Sequence, residues 1–112
     1  MCPALQLEAL TKEIVSSYRS VFGSDIDGIY LYGSYSRGEQ SDQSDIDFVA
    51  IVHGDRLSLQ KKLYSVWDRS SDIGSAYDVV ISPSVIPYDE FMAYRHRLPY
   101  YQNILKEGRR VG

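Results

Sequence analysis

The chain predicts a small α+β fold, a mixed or antiparallel sheet with helices packed on one face. Three observations point there. An amphipathic helical stripe opens the chain, three short β-branched or aromatic runs follow with a second helical segment before the last of them, and the remainder reads as helix.

Over residues 5–22, Leu7, Leu10, Ile14, Tyr18 and Val21 recur at spacings of three and four, one apolar face of a helix that Gly23-Ser24-Asp25 ends. Ile29-Tyr30-Leu31-Tyr32 lies between Gly28 and Gly33 and reads as a strand. Residues 33–44 form a polar loop with room for one helical turn. Residues 45–53 alternate at first and then turn fully apolar, which suits a central strand. A second helix is expected over 55–72, with Leu59, Leu63, Val66 and Trp67 inward and Gly74 as its stop. Residues 77–82, with Val79, Val80 and Ile81, read as a third strand. Beyond Pro83 the chain is expected to turn helical, with Pro87 at a first helical position and Asp89 and Glu90 in the first turn. Pro99 should end or kink that helix, and Tyr101, Ile104 and Leu105 mark a last short one closing at Gly108.

Composition bounds the class. With 112 residues, 44% hydrophobic and 24% charged, residues 1–112 read as one folding unit, and collagen-like, disordered and low-complexity classes are excluded. The longest apolar run, Phe48 to Val52, is too short to span a bilayer, so no membrane partner is expected. No basic-then-apolar leader is visible, and the single cysteine, Cys2, excludes an internal disulfide; a cytoplasmic location is expected. Net charge is −3, but residues 1–94 carry seven basic against fourteen acidic side chains. Arg95, Arg97, Lys106, Arg109 and Arg110 then face Glu107 alone, a basic tail that is either a solvated end or a docking surface. Direct binding of nucleic acid is not expected from so acidic a body.

The chemistry concentrates in three places. Asp45-Ile46-Asp47 puts two carboxylates on one face of a strand, about 6.5 Å apart along it. Held so close they repel unless a cation sits between them, and they are the oxygen ligands that magnesium takes. Asp78, read as strand-borne, could complete such a metal site or act as general base toward an attacking hydroxyl. The loop Gly33-Ser34-Tyr35-Ser36-Arg37-Gly38 offers a glycine turn, a hydroxyl and amides for phosphate oxygens, and a guanidinium fork. Each piece has an ordinary alternative. Asp-x-Asp occurs in turns and calcium loops, Arg37 could pair with Glu39 or Asp42, and Ser44 could cap the strand rather than touch a ligand. His53 and His96 lack the partners of a zinc site. The ten tyrosines read mostly as packing, although Tyr100-Tyr101 could belong to a partner surface. The parts in this order suit transfer of a nucleotidyl group from a triphosphate.

Gly33-Ser34-x-x-Arg37-Gly38, then Ser44-Asp45-Ile46-Asp47 and Asp78, resembles the nucleotidyltransferase superfamily that includes DNA polymerase beta. The wording GSYSRGEQSDQSDIDFVAIV and the short length resemble its smallest branch, the MNT-domain proteins encoded beside HEPN-domain partners. The resemblance implies a polymerase beta palm-like fold, with Gly33, Ser34, Arg37 and Ser44 toward the nucleotide. It further implies that Asp45, Asp47 and Asp78 are catalytic and hold two magnesium ions, with ATP as substrate. It shows no departure from the family pattern at Ser34, Asp45, Asp47 or Asp78. By the same resemblance the chain is expected to be an antitoxin that transfers AMP to a hydroxyl, a tyrosine by expectation, of a HEPN-domain toxin, in a hetero-oligomer. So short a chain leaves little room for an acceptor-binding domain, which favours a protein acceptor that brings its own surface. Two other readings stay open: a non-catalytic antitoxin that neutralises by binding, and a small-molecule or nucleic-acid nucleotidyltransferase that works with a second subunit.

Overall fold

The periodic stripe at the start of the chain forms helix α1, Ala4–Phe22, in a computed structural model that describes residues 4–32 and 45–112. Leu10, Ile14 and Tyr18 are fully buried along it, as their spacing predicts. The turn Gly23–Asp25, in which Gly23 takes a left-handed φ of +59°, leads into strand β1, Ile26–Tyr32. Strand β2, Ile46–Val52, is followed by helix α2, Arg56–Tyr77. Asp55 caps that helix, its Oδ2 accepting the Ser58 N–H at 3.0 Å. Strand β3, Ile81–Pro87, runs directly into helix α3, Tyr88–Tyr94; helix α4, Pro99–Glu107, and the short strand β4, Arg109–Arg110, complete the order.

The four strands lie in the order β3-β2-β1-β4. β1 is antiparallel to β2 and β4, and β2 is parallel to β3, with α2 as the crossover that a parallel pair requires. One face of the sheet, presenting Ile29, Leu31, Ile46, Phe48, Ala50, Val52, Ile81 and Val85, is covered by α1 and α2. The two long helices share one face, but α3 and α4, expected there as well, lie on the other. The other face carries a second, smaller cluster, in which Val49, Ile51 and Ile86 pack against Phe91 of α3 and Tyr101 and Ile104 of α4.

Further expectations are corrected. The third strand begins at Ile81 and not at Tyr77, because α2 continues to Tyr77 and Asp78 takes the left-handed conformation (φ 58°, ψ 46°) that ends it. Gly74 does not stop the helix; it lies inside it, where a Cβ would stand 2.6 Å from the carbonyl oxygen of Val79 as the chain turns back. Residues 83–87 remain strand although Pro83 suggests a break, since β3 is an edge strand, where a missing N–H is tolerated. Trp67 is 42% exposed, not inward. The backbone of Arg109-Arg110 pairs with Leu31 and Tyr30 at the sheet edge while both arginines remain exposed.

A long-range polar contact ties the two layers together. The Tyr18 hydroxyl, fully buried, donates to the Ser84 carbonyl at 2.8 Å and accepts the Ser84 N–H at 3.1 Å, fastening α1 to β3. Burial pushes its pKa well above the ordinary tyrosine value, so it stays a neutral hydroxyl. Tyr18→Phe keeps the ring and leaves both Ser84 groups without that partner. The expected loss is about 1–3 kcal/mol of unfolding free energy in a urea titration, and an unchanged midpoint would show that the bonds contribute nothing.

Candidate active site

The site starts from the burial of β2. Phe48, Val49, Ala50, Ile51 and Val52 are all fully buried, so no carboxylate could sit along that stretch without heavy desolvation. The acids instead occupy the entrance of the strand, with Asp45 exposed just before it and Asp47 half-buried at its second residue. Residues two apart on a strand share a face, and here that face is the one bearing Val49 and Ile51.

Register supplies the neighbours. Asp47 pairs with Tyr32 of β1 on one side and with Ser82 of β3 on the other, and directly paired residues project to the same face. The Tyr32 and Tyr100 hydroxyls lie 3.1 Å apart, with ring centroids at 5.7 Å. The Tyr100 hydroxyl is 3.5 Å from Ser84 Oγ, which donates to the Phe48 carbonyl at 3.1 Å. The carboxylate entrance is therefore bordered by a row of hydroxyls, from Tyr32 through Tyr100 to Ser84.

The electrostatics follow from this packing. The Asp47 carboxyl is pushed above its ordinary pKa, first by burial and then by the like charge of Asp45. Tyr32 is raised far above the usual phenol range, chiefly by burial, then by its hydrogen bond to Tyr100 and by the nearby Asp47. Tyr32 thus remains a protonated hydroxyl beside the acid. A half-buried carboxylate whose ionisation is disfavoured by burial and by the charge of a neighbouring acid fits a divalent cation, because a bound ion would offset both.

Not every residue singled out from sequence joins this arrangement. Gly33, Ser34, Arg37 and Ser44 lie outside the described residues. Asp78 is exposed at the end of α2 and not on a strand, and among the described residues no three His, Cys, Asp or Glu side chains come together where they could hold an ion. The expected three-carboxylate cage of Asp45, Asp47 and Asp78 is absent there; the left-handed turn ends the helix before β3 begins. Ser82, Ser84, Tyr32 and Tyr100 were not singled out as site residues. A signal for the serines was present: Ser82 and Ser84 alternate with Ile81, Pro83 and Val85, a period of two that puts small polar groups on one strand face. An open groove of about 470 Å³ lined by Leu7, Glu8, Thr11, Lys12, Arg109 and Val111 lies on the α1 side of the sheet, away from Asp47.

A mixed sheet with paired carboxylates at the mouth of its central strand, following a glycine–serine segment, has the layout of a nucleotidyl-transfer domain. The comparison with known families agrees: residues 11–109 match the family described as "Polymerase beta, Nucleotidyltransferase", and the chain belongs to that family. Its enzymatic class is nucleotidyltransferase. Two Methanocaldococcus jannaschii proteins are similar to it. One, named "Putative protein adenylyltransferase MJ0604", is 29% identical over 91% of this chain and 94% of its own length. The other, "Putative protein adenylyltransferase MJ0141", is 27% identical over 72% and 80%. Among solved structures, a nucleotidyltransferase-like protein from Sulfolobus solfataricus superposes with a TM-score of 0.58 at 21% identity, over 95% of this chain and 79% of that one. A toxin–antitoxin crystal structure with AMP-PNP superposes at 0.57 and 22% identity, over 89% and 70%. A Shewanella oneidensis complex of a tri-AMPylated HEPN toxin with an MNT antitoxin superposes at 0.52 and 19%, over 94% and 70%. These likenesses show the polymerase beta-like fold.

Asp47→Asn tests the electrostatics in metal-free buffer. Because the folded-state pKa lies above the unfolded one, ionising Asp47 disfavours the fold at every pH above the raised value. That penalty fades as pH falls through the ordinary carboxylate range. The variant should therefore melt higher than the parent at neutral pH and equally at about pH 3. A lower melting temperature at neutral pH would contradict the assignment.

Proposed function

We propose that the chain is a Mg2+-dependent protein adenylyltransferase that serves as antitoxin to a HEPN-domain toxin. The observation that carries the reading is the half-buried Asp47 beside Asp45 at the entrance of the central strand, within a chain of the nucleotidyltransferase family. The names of its relatives support protein as the acceptor, and the toxin–antitoxin complexes among its structural neighbours support the biological role.

On this reading Asp45 and Asp47 hold magnesium, which would neutralise charge building on the triphosphate. Ser34, Gly33, Arg37 and Ser44 face the phosphates, by their match to the family motif. The acceptor hydroxyl oxygen attacks the α-phosphorus of ATP. Its new bond to phosphorus forms as the bond to the β-phosphate's bridging oxygen breaks; pyrophosphate leaves and the hydroxyl proton passes to solvent. Tyr32, held protonated by burial, and the adjoining Tyr100 hydroxyl can donate to oxygen atoms of the nucleotide.

The test is incubation of the purified chain with α-phosphate-labelled ATP, Mg2+ and the protein encoded by the neighbouring gene. Label should appear on a hydroxyl of that protein. Asp47→Asn should lower the rate on the order of a thousandfold, because several kcal/mol of charge stabilisation are lost. Label found only on RNA or a small molecule would overturn the reading.

One observation favours a second reading: Asp78 does not join the pair, which leaves fewer acids than the family pattern implies. A binding antitoxin needs no catalytic site. If the Asp45→Asn, Asp47→Asn double variant still neutralises the toxin at full strength in growth assays, binding is the mechanism. Loss of neutralisation with the complex intact selects catalysis.

A further inference from the structure

Helix α2 turns one face to the core through Leu59, Leu63, Val66, Ser70 and Ile73, and a second pattern runs along its solvent side. There Leu57, Tyr64 and Trp67 are 66%, 71% and 42% exposed, three large side chains on the outside of one helix. Leu57, Lys61, Tyr64 and Asp68 follow one another at spacings of four, three and four, so they form a single stripe, with Gln60 and Trp67 along one border. None of them belongs to either hydrophobic cluster. The charges of the stripe are ordered along the axis: Lys61 lies toward the start of the helix from Tyr64, and Asp68 toward its end.

We propose that this face pairs with the same face of a second copy of the chain, the two α2 helices running antiparallel about a two-fold axis at Tyr64. A two-fold interface sets each group of one copy against the group at the mirrored distance from the axis. At a rise of about 1.5 Å per residue, Lys61 stands about 4.5 Å from the axis and Asp68 of the second copy about 6 Å from it on the same side, so the two meet. Symmetry repeats the pair. On the other border Trp67 comes opposite Gln60 of the second copy by the same arithmetic, and the two Tyr64 rings meet at the centre. A parallel pairing would set Lys61 on Lys61 and Asp68 on Asp68. One base and one acid at nearly equal distances from a central tyrosine is the balance that a self-pairing face needs and that an unrelated partner does not. One helix per copy falls at or below the small end of specific interfaces, about 1,200 Å², so the dimer is a weak one that forms at about 10–100 µM. It does not depend on the reading of Asp45 and Asp47.

Sedimentation equilibrium of the full chain at low salt tests it. The apparent mass should rise with concentration from 12.8 kDa toward twice that value. Tyr64→Glu, which sets like charges against each other at the axis, should weaken association about tenfold or more, as should Lys61→Asp or Asp68→Lys alone. All three positions are exposed, so the melting temperature of dilute protein should stay near the parent's. Lys61→Asp mixed with Asp68→Lys should recover association close to the parent's, because both ion pairs re-form with reversed sign in the mixed dimer. A parent that remains monomeric up to about 1 mM overturns the proposal. So does a dimer that the single variants leave unchanged, or a mixture that associates no better than its components. A chain that is monomeric alone, but whose complex with the protein encoded by the neighbouring gene is weakened by Tyr64→Glu, assigns the face to that protein and overturns the pairing with a second copy.

Discussion

Strand β2 is covered on both faces, and that condition governs the placement of almost everything else. Its neighbours β1 and β3 satisfy its backbone, α1 and α2 close one face, and α3 with α4 close the other. Five consecutive fully buried residues, Phe48–Val52, leave no room for charge, so any acid on this strand must sit at its entrance. The entrance also comes directly after residues 33–44 in the sequence. The carboxylates are therefore rigidly held on one side by a strand that cannot shift register without exposing its apolar set. They remain open to solvent on the other. A reactive pair needs both conditions: a fixed separation and access for a charged ligand.

The second face explains why the site has walls. Tyr101 and Ile104 of α4 are buried against Val49, Ile51 and Ile86, and this anchoring brings the preceding residue, Tyr100, over the sheet toward Tyr32 and Ser84. Tyr101 is further held by its hydroxyl, which donates to Glu90 at 2.9 Å, while Glu90 pairs with Arg56 at the start of α2. Elements from four parts of the chain thus converge beside Asp47. The hydroxyl row they form holds no acid, and burial keeps Tyr32 within it protonated. A neutral wall can hydrogen-bond phosphate or ribose oxygens without repelling them, whereas another acid would deepen the repulsion already present at Asp47.

Much of this was legible from the residues, and the failures have definite causes. The spacing of Leu10, Ile14 and Tyr18 identified α1, and the switch from alternation to a continuous apolar run identified β2 as central. Asp45 and Asp47 were legible because a strand's period of two is insensitive to small errors in its ends. Asp78 failed because its position depended on where a helix ended. Val79-Val80-Ile81 has the composition of a strand, but tertiary packing of Ile73 and the tight approach at Gly74 carry α2 on to Tyr77. Local propensity could not reveal that contact. Pro83 misled in the opposite direction, since a proline is read as a break unless the strand is known to be at an edge. Tyr100 and Tyr32 are 68 residues apart, and nothing local in either joins them.

The charge balance of the site bears on how it would be filled. Magnesium prefers six oxygen ligands in near-octahedral geometry and gives up its water reluctantly. Two carboxylates and neutral hydroxyls supply neither the number nor the charge for a tight protein-only site. A triphosphate supplies both, and it can approach Asp45 and Asp47 only with its own charge offset by cations. Each ligand then raises the affinity for the other, and linkage makes that enhancement equal in both directions. Adding a third acid would strengthen the site for the bare ion while weakening this mutual dependence.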